Sequence, residues 1–306
     1  MTDAGVLVLD KITGVTSFDA VALVRRRLAL KRVGHAGTLD PDATGVLPIL
    51  LGEATKLMPY LADQDKEYVA TLRLGVTTDT GDVGGRVTAT TAVPALSRLE
   101  VEMACRPFVG RIKQVPPMFS AVHHGGRRLY ELAREGIEVV REPREVVIHA
   151  IDVEEVVGDS VRLRVVCGKG TYVRVLAADV GAALGCGAAV ARLVRTRVGP
   201  FTLAEAVSWS ELEDGPAAAL WARVRPADSA LAGWLMVRLD ARAASQFEHG
   251  QPVGIAPAGA VAGTLVRVHA AGDGRLLGVG EVMDGPRTRP VRMLHADRPG
   301  PRVLPR

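Results

Sequence analysis

The sequence predicts an α+β protein with a small β-rich second domain, on three observations. Strand-like and helix-like stretches are mixed without the regular β-α-β alternation that would build a doubly wound parallel sheet. An alanine-rich, proline-bounded stretch over residues 216–226 reads as a connector. Beyond it, residues 251–295 are short β-like runs broken by glycine. A length of 306 residues agrees with two domains, and the boundaries fall at residues 1–225 and 236–306.

Residues 5–10, GVLVLD, read as a strand, and Thr16 or Ser17 caps a helix whose apolar positions Phe18, Val21, Val24 and Leu28 keep helical spacing. After a glycine- and proline-punctuated loop around Asp40, residues 52–61 suit a short helix, and KEYVATLRLG from Lys66 alternates like a strand. Ser97 with Glu100 makes a capping box ahead of a helix that CRPF ends. Residues 111–127 hold Pro116, Pro117, Gly125 and Gly126, which predicts a long loop. A helix, RRLYELAREG, follows and is closed by Gly136. VVIHAIDVEEV and VRLRVVC predict two strands joined at Gly158, Asp159 and Ser160, and GKGTYVRVLAADVGAALG runs from a glycine loop into a helix. In the second domain DARAASQFEHG gives one capped helix.

An apolar fraction of 48% and a charged fraction of 24% are ordinary for a globular protein. The start, MTDAGVLVLDK, lacks a basic n-region, and no stretch approaches membrane-spanning length, which predicts a cytoplasmic protein with no membrane partner. Cys105, Cys167 and Cys186 are too scattered for a disulfide framework or a cysteine zinc site, and they read as buried or idle thiols. The phosphate-loop pattern fails at Lys169, which Gly170 follows. The net charge of +4 is mild, but the basic residues cluster. Arg25, Arg26, Arg27, Lys31 and Arg32 precede the Asp40 loop; Arg111, Lys113, Arg127 and Arg128 bracket VPPMFSAVHHGG; Arg192, Arg195 and Arg197 form a third group. Three clusters flanking unusual loops predict a groove for a polyanion.

Asp40 is the residue that decides the chemistry. An aspartate before proline is a common turn former. Asp40-x-Asp42-x-Thr44 also matches the nucleophile loop of Mg²⁺-dependent phosphatases, but that loop follows a buried apolar strand, whereas KRVGHAGTL is polar and glycine-broken. As a calcium loop the stretch would need a glutamate where Leu51 stands. A catalytic aspartate in a nucleic-acid cleft is a further reading, which stands beside the turn former and takes its support from the rest of the chain.

The blocks GVLVLDKITGVTS, GHAGTLDPDATGVLPILLGEATK, DKEYVATLRLGVTTDTGD, QVPPMFSAVHHGGRRLYELAREG, CGKGTYVRVLAADVG and LVRTRVG, in this order, resemble the bacterial tRNA pseudouridine synthase B (TruB) family. The resemblance covers roughly Gly5 to Gly199. It implies an isomerase acting on uridine 55 in the TΨC loop of tRNA. It also implies a mixed, mostly antiparallel sheet flanked by helices with a central catalytic cleft, a mobile thumb at about 111–136, and a PUA-like C-terminal RNA-binding domain. By the same resemblance Asp40 is the catalytic aspartate, Arg174 the arginine that pairs with it, and Tyr68 the ring that stacks on the target base. Tyr172, Leu193 and His35 then correspond to substrate-binding positions, and Lys11 takes a supporting place among them. Two positions depart from the pattern: Ile12 stands where proline is usual, and Phe119 where tyrosine is common. Such an isomerisation asks for no cofactor and no metal, and a monomer suits an enzyme that envelops a tRNA arm. The rival from another class is a non-catalytic tRNA-binding or folding factor, for which the Asp40 carboxylate has no use.

Overall fold

The computed structural model describes residues 4–295; residues 1–3 and 296–306, assigned above to the outer ends of the two domains, lie outside it. The first strand, β1 (Gly5–Lys11), is a nearly unbroken apolar run because both of its faces are covered. Leu7 and Leu9 enter one core, and Val6 and Val8 enter another. Helix α1 (Ser17–Arg27) begins at a capping box in which Thr16 accepts from the Asp19 backbone and Asp19 from that of Thr16. Its Ala20, Val21, Leu23 and Val24 are buried, but Phe18, expected on the same apolar face, is 68% exposed.

The chain then forms β2 (Thr44–Leu51) and β3 (Lys66–Leu74), and α2 (Arg98–Cys105) starts at the Ser97 and Glu100 capping box. Strand β4 (Gly110–Gln114) follows, then α3 (Leu129–Arg134), β5 (Arg144–Val157), β6 (Ser160–Cys167), α4 (Val173–Ala183) and β7 (Ala188–Val198). Two expectations need correction. The stretch 111–127 is not a loop throughout: residues 110–114 pair with β5 until Pro116 and Pro117 end the ladder, and a small hairpin joins His123–His124 to Arg127–Arg128. The connector at 216–226 is structured as well, since Leu220 packs into a core and residues 225 and 226 pair with β1.

The large sheet runs in the order Arg225–Pro226, β1, β2, β7, β3, β6, β5, β4, with Val33–His35 added to β2 and Phe201–Thr202 to β7. All its pairings are antiparallel except one: β2 and β7 run parallel, joined only at Val194 with Thr44 and Arg195 with Gly45. The sheet is thus two antiparallel halves meeting along a two-residue seam. Gly45 makes the meeting possible: its φ is +102°, and a Cβ there would overlap the carbonyl oxygen of Arg195.

A C-terminal β-rich domain contains β8 (Met236–Leu239), β9 (Leu265–Ala270), β10 (Leu276–Val282) and β11 (Thr288–Met293) in sequential order, with α5 (Ala241–Glu248) across them. It has its own core around Phe247, Val266, Val268 and Leu277. Val279 and Leu294 reach into the core beneath β1 and β2, so the two domains share apolar contact.

Candidate active site

The loop between Val33–His35 and β2 carries Asp40, and four anchors fix it. Ser17 Oγ accepts from Leu39 N at 2.9 Å and donates to Leu39 O at 3.2 Å, so the hydroxyl beside the helix cap holds the loop instead of the helix. The Lys11 ammonium donates to the carbonyls of Ile12, Val15 and Pro41 at 2.8, 2.8 and 2.9 Å. Gly14 N donates to Pro41 O at 3.0 Å. From the far side of the seam Arg195 donates to Gly37 O at 3.0 Å and Thr38 O at 3.4 Å, and its Nε to Val46 O at 2.7 Å.

Arg174, in the first turn of α4, lies with Nε 2.9 Å from Asp40 Oδ2. Its other nitrogens donate to Thr80 O and Phe119 O, both at 2.8 Å, so the guanidinium is only 6% exposed while the Asp40 carboxylate, at 43%, opens to the cleft. Desolvation by its surroundings lifts the Asp40 carboxyl above the usual carboxylate range; the Arg174 charge opposes the shift, and nearby Asp82 adds to it.

Asp40 and Arg174 line both of two adjoining spaces. The inner one, about 270 Å³, is also bounded by Tyr68, Tyr172, Leu193, Lys66 and Arg195. Tyr68 and Leu193 lie on paired strands where two of the hydrophobic cores touch, and they give the cavity part of its apolar lining. Burial raises the Tyr68 phenol above its ordinary value, and the Arg195 guanidinium counters. Tyr172 precedes α4, and its backbone is gripped by buried Gln114, whose amide accepts from Tyr172 N at 2.9 Å and donates to Tyr172 O at 3.2 Å. The outer space, about 550 Å³, is bordered by exposed Phe18, by His35 and by Phe119, Arg128 and Tyr130 of the thumb segment. Burial pushes the His35 imidazole below its ordinary value, and its Nδ1 is buried without a hydrogen-bond partner among the described residues.

Of the seven residues singled out in the sequence, six line these two spaces. Lys11 does not. It is fully buried, its three ammonium protons all go to carbonyls, and burial lowers its pKa to about 8. Contact with substrate is closed to it, and a supporting place beneath the loop is what its position allows. Sequence reasoning also misplaced Arg195 among surface cations; it is 1% exposed. Lys66 and Gln114 went unnoticed because neither residue type signals burial; their only trace is membership of the DKEY and KQVPP stretches. The basic clusters are partly consumed: Arg32 pairs with Glu53, Arg111 with Glu145 and Arg127 with Glu135, whereas Arg25, Arg26 and Lys113 remain exposed.

Comparison with solved structures places this architecture. An H/ACA ribonucleoprotein bound to a substrate RNA containing 2′-deoxyuridine matches with a TM-score of 0.73 and 26% identity, over 95% of this chain and 85% of that one. The class is that of the pseudouridylate synthases. Residues 25–173 match the TruB family pseudouridylate synthase N-terminal domain, 174–232 the tRNA pseudouridylate synthase B C-terminal domain, and 236–294 the C-terminal domain of pseudouridine synthase II TruB. The tRNA pseudouridine synthase B of Dechloromonas aromatica is 50% identical over 290 residues, 95% of each chain. That of Aromatoleum aromaticum is 46% identical over 95% of this chain and 92% of its own. The chain belongs to the TruB family.

Proposed function

We propose that this protein isomerises uridine 55 in the TΨC loop of tRNA to pseudouridine, working as a cytoplasmic monomer without cofactor or metal. One observation carries the reading: a carboxylate held against a guanidinium at 2.9 Å borders a small cavity that has a tyrosine on its wall. The target base leaves its stack and enters that cavity, at a cost of a few kcal/mol. Stacking on Tyr68 returns about 1–3 kcal/mol, with Leu193 and Tyr172 enclosing the base and His35 facing displaced neighbours in the outer space.

Asp40 then faces the ribose. Its carboxylate acts either by adding to C1′ or by taking a ribose proton, and the same placement serves both. The N1–C1′ bond breaks, the base turns while still enclosed, and C5 bonds to C1′. C5 loses its proton and N1 gains one, so atoms and electrons balance without a co-reactant. Residues 1–225 form the catalytic unit, with the segment 111–136 as a thumb over the RNA, and 236–306 the PUA-like domain that grips the arm of the tRNA.

The test is release of tritium from tRNA transcript labelled at C5 of uridine. Wild-type protein is expected to release it, and Asp40→Asn to release none above background while binding tRNA within about threefold of wild type. Full turnover by Asp40→Asn would remove the centre of the proposal and leave the non-catalytic binding factor in its place.

A further inference from the structure

Four charged side chains line the inner cavity, one acidic and three basic: Asp40, Lys66, Arg174 and Arg195. Arg174 is matched by Asp40. The other two cations make no ion pair with a carboxylate among the described residues. Arg195, the cross-strand neighbour of Tyr68, uses three of its five N–H groups on backbone carbonyls. Among the described residues no carboxylate lies within ion-pair reach of it. Lys66, two residues from Tyr68 on the same face of β3, is 6% exposed and donates to the carbonyls of Ala62 and Gln64. The acids nearest to it are engaged elsewhere, Asp63 with Lys169 at 2.7 Å and Asp65 with His149 at 3.0 Å.

Burying a cation against neutral dipoles alone is costly, and a neutral donor would satisfy the same carbonyls. Contact with RNA phosphates does not account for these two charges, because phosphates are met at the surface and both side chains are buried. Uracil itself is neutral. What becomes negative in the reaction is the base as it leaves the sugar.

We propose that Arg195, with Lys66 as a second cation, faces the everted base and stabilises the negative charge that develops on uracil as the N1–C1′ bond breaks. The inference rests on the reading of the cavity given above. The bonding pair stays on the base, and C1′ is satisfied by the Asp40 carboxylate or by loss of a ribose proton. The charge persists on the base until C5 rejoins C1′, releases its proton, and N1 takes one up. Cations already fixed by carbonyls need no reorganisation to meet that charge.

The test compares uridine with 5-fluorouridine at the target position of a tRNA transcript, since fluorine makes the departing base a weaker base. Single-turnover loss of the original nucleoside is followed by chromatography of the digested RNA. In Arg195→Gln, which removes the charge and keeps one amide donor group, the uridine reaction is expected to slow by about 10²-fold. The half-saturating concentration should stay within about threefold, and the 5-fluorouridine to uridine rate ratio should rise at least about fivefold over wild type. Arg195→Lys should leave the ratio near the wild-type value. Because each ratio is taken within one variant, it is independent of how much of that variant folds, and Lys66→Gln supplies a second ratio. Unchanged ratios in both neutral variants would overturn the charge assignment and leave Arg195 as a backbone stitch. A wild-type protein inert toward uridine would overturn the parent reading as well.

Discussion

At Asp40 burial and a neighbouring guanidinium pull in opposite directions, and burial wins. Replacing Arg174 with Met removes the influence that favours the charged carboxylate, so the carboxyl value should move further up. The acid limb of the pH–rate profile should therefore shift to higher pH than in wild type, with kcat lower by about 10²-fold at neutral pH. An acid limb that stays in place would show that the two groups are not coupled in turnover. The Asp40 loop was legible in the sequence because six blocks in fixed order resemble one family. Arg195 was not: two bulges in β7, on either side of residues 192–195, break the alternation from which facing is read. A buried arginine therefore looked like one more member of a basic run.

Among the elements, the seam between β2 and β7 depends on a single close approach. Gly45→Ala would place a side chain against Arg195 backbone at a φ that favours glycine. It should destabilise the protein by about 3 kcal/mol in urea unfolding and lower activity in the fraction that remains folded, because the loop bearing Asp40 hangs on the same contact. A variant as stable and active as wild type would show that the halves tolerate separation. Helix starts were readable in advance, since Thr16 with Asp19 and Ser97 with Glu100 satisfy their own backbone locally. Strand β4 and the pairing of residues 225 and 226 with β1 were not, because both ladders close over long sequence distances at sheet edges that carry little apolar pattern. The exposure of Phe18 is of the same kind: helical spacing identifies a face, not what covers it.

For the whole molecule, the two domains are joined by polar ties as well as by the shared core. Asp228, in the segment between the two domains, meets Arg267 of β9 at 2.7 Å and His269 of β9 at 2.9 Å, and Lys56 reaches Met293 O at 3.0 Å. His269 is lifted above its ordinary 6.5, chiefly by its hydrogen bond to Asp228. Its contribution is fully present below 6.5 and is lost as pH rises through the raised folded value. Asp228 is held below its ordinary 3.8, its burial outweighed by His269 and Arg267. Its share is present above 3.8 and fades as pH falls through the depressed value. His269→Gln should therefore cost about 1 kcal/mol at pH 6 and less at pH 8.5, read as a difference in unfolding midpoint that narrows on the alkaline side. A gap that widens there would contradict the pairing. A β-rich second domain was legible from glycine-broken short runs, but these junction contacts were not, since they join residues about 40 positions apart and more. The seam has one more effect, on the order in which the enzyme comes into being. Thr44 and Gly45 must wait for Val194 and Arg195, so in a nascent chain still short of residue 188 the aspartate loop has its anchors from Ser17, Lys11 and Gly14 but lacks the one from Arg195, and the ability to modify RNA arrives only when synthesis of the catalytic domain is nearly done.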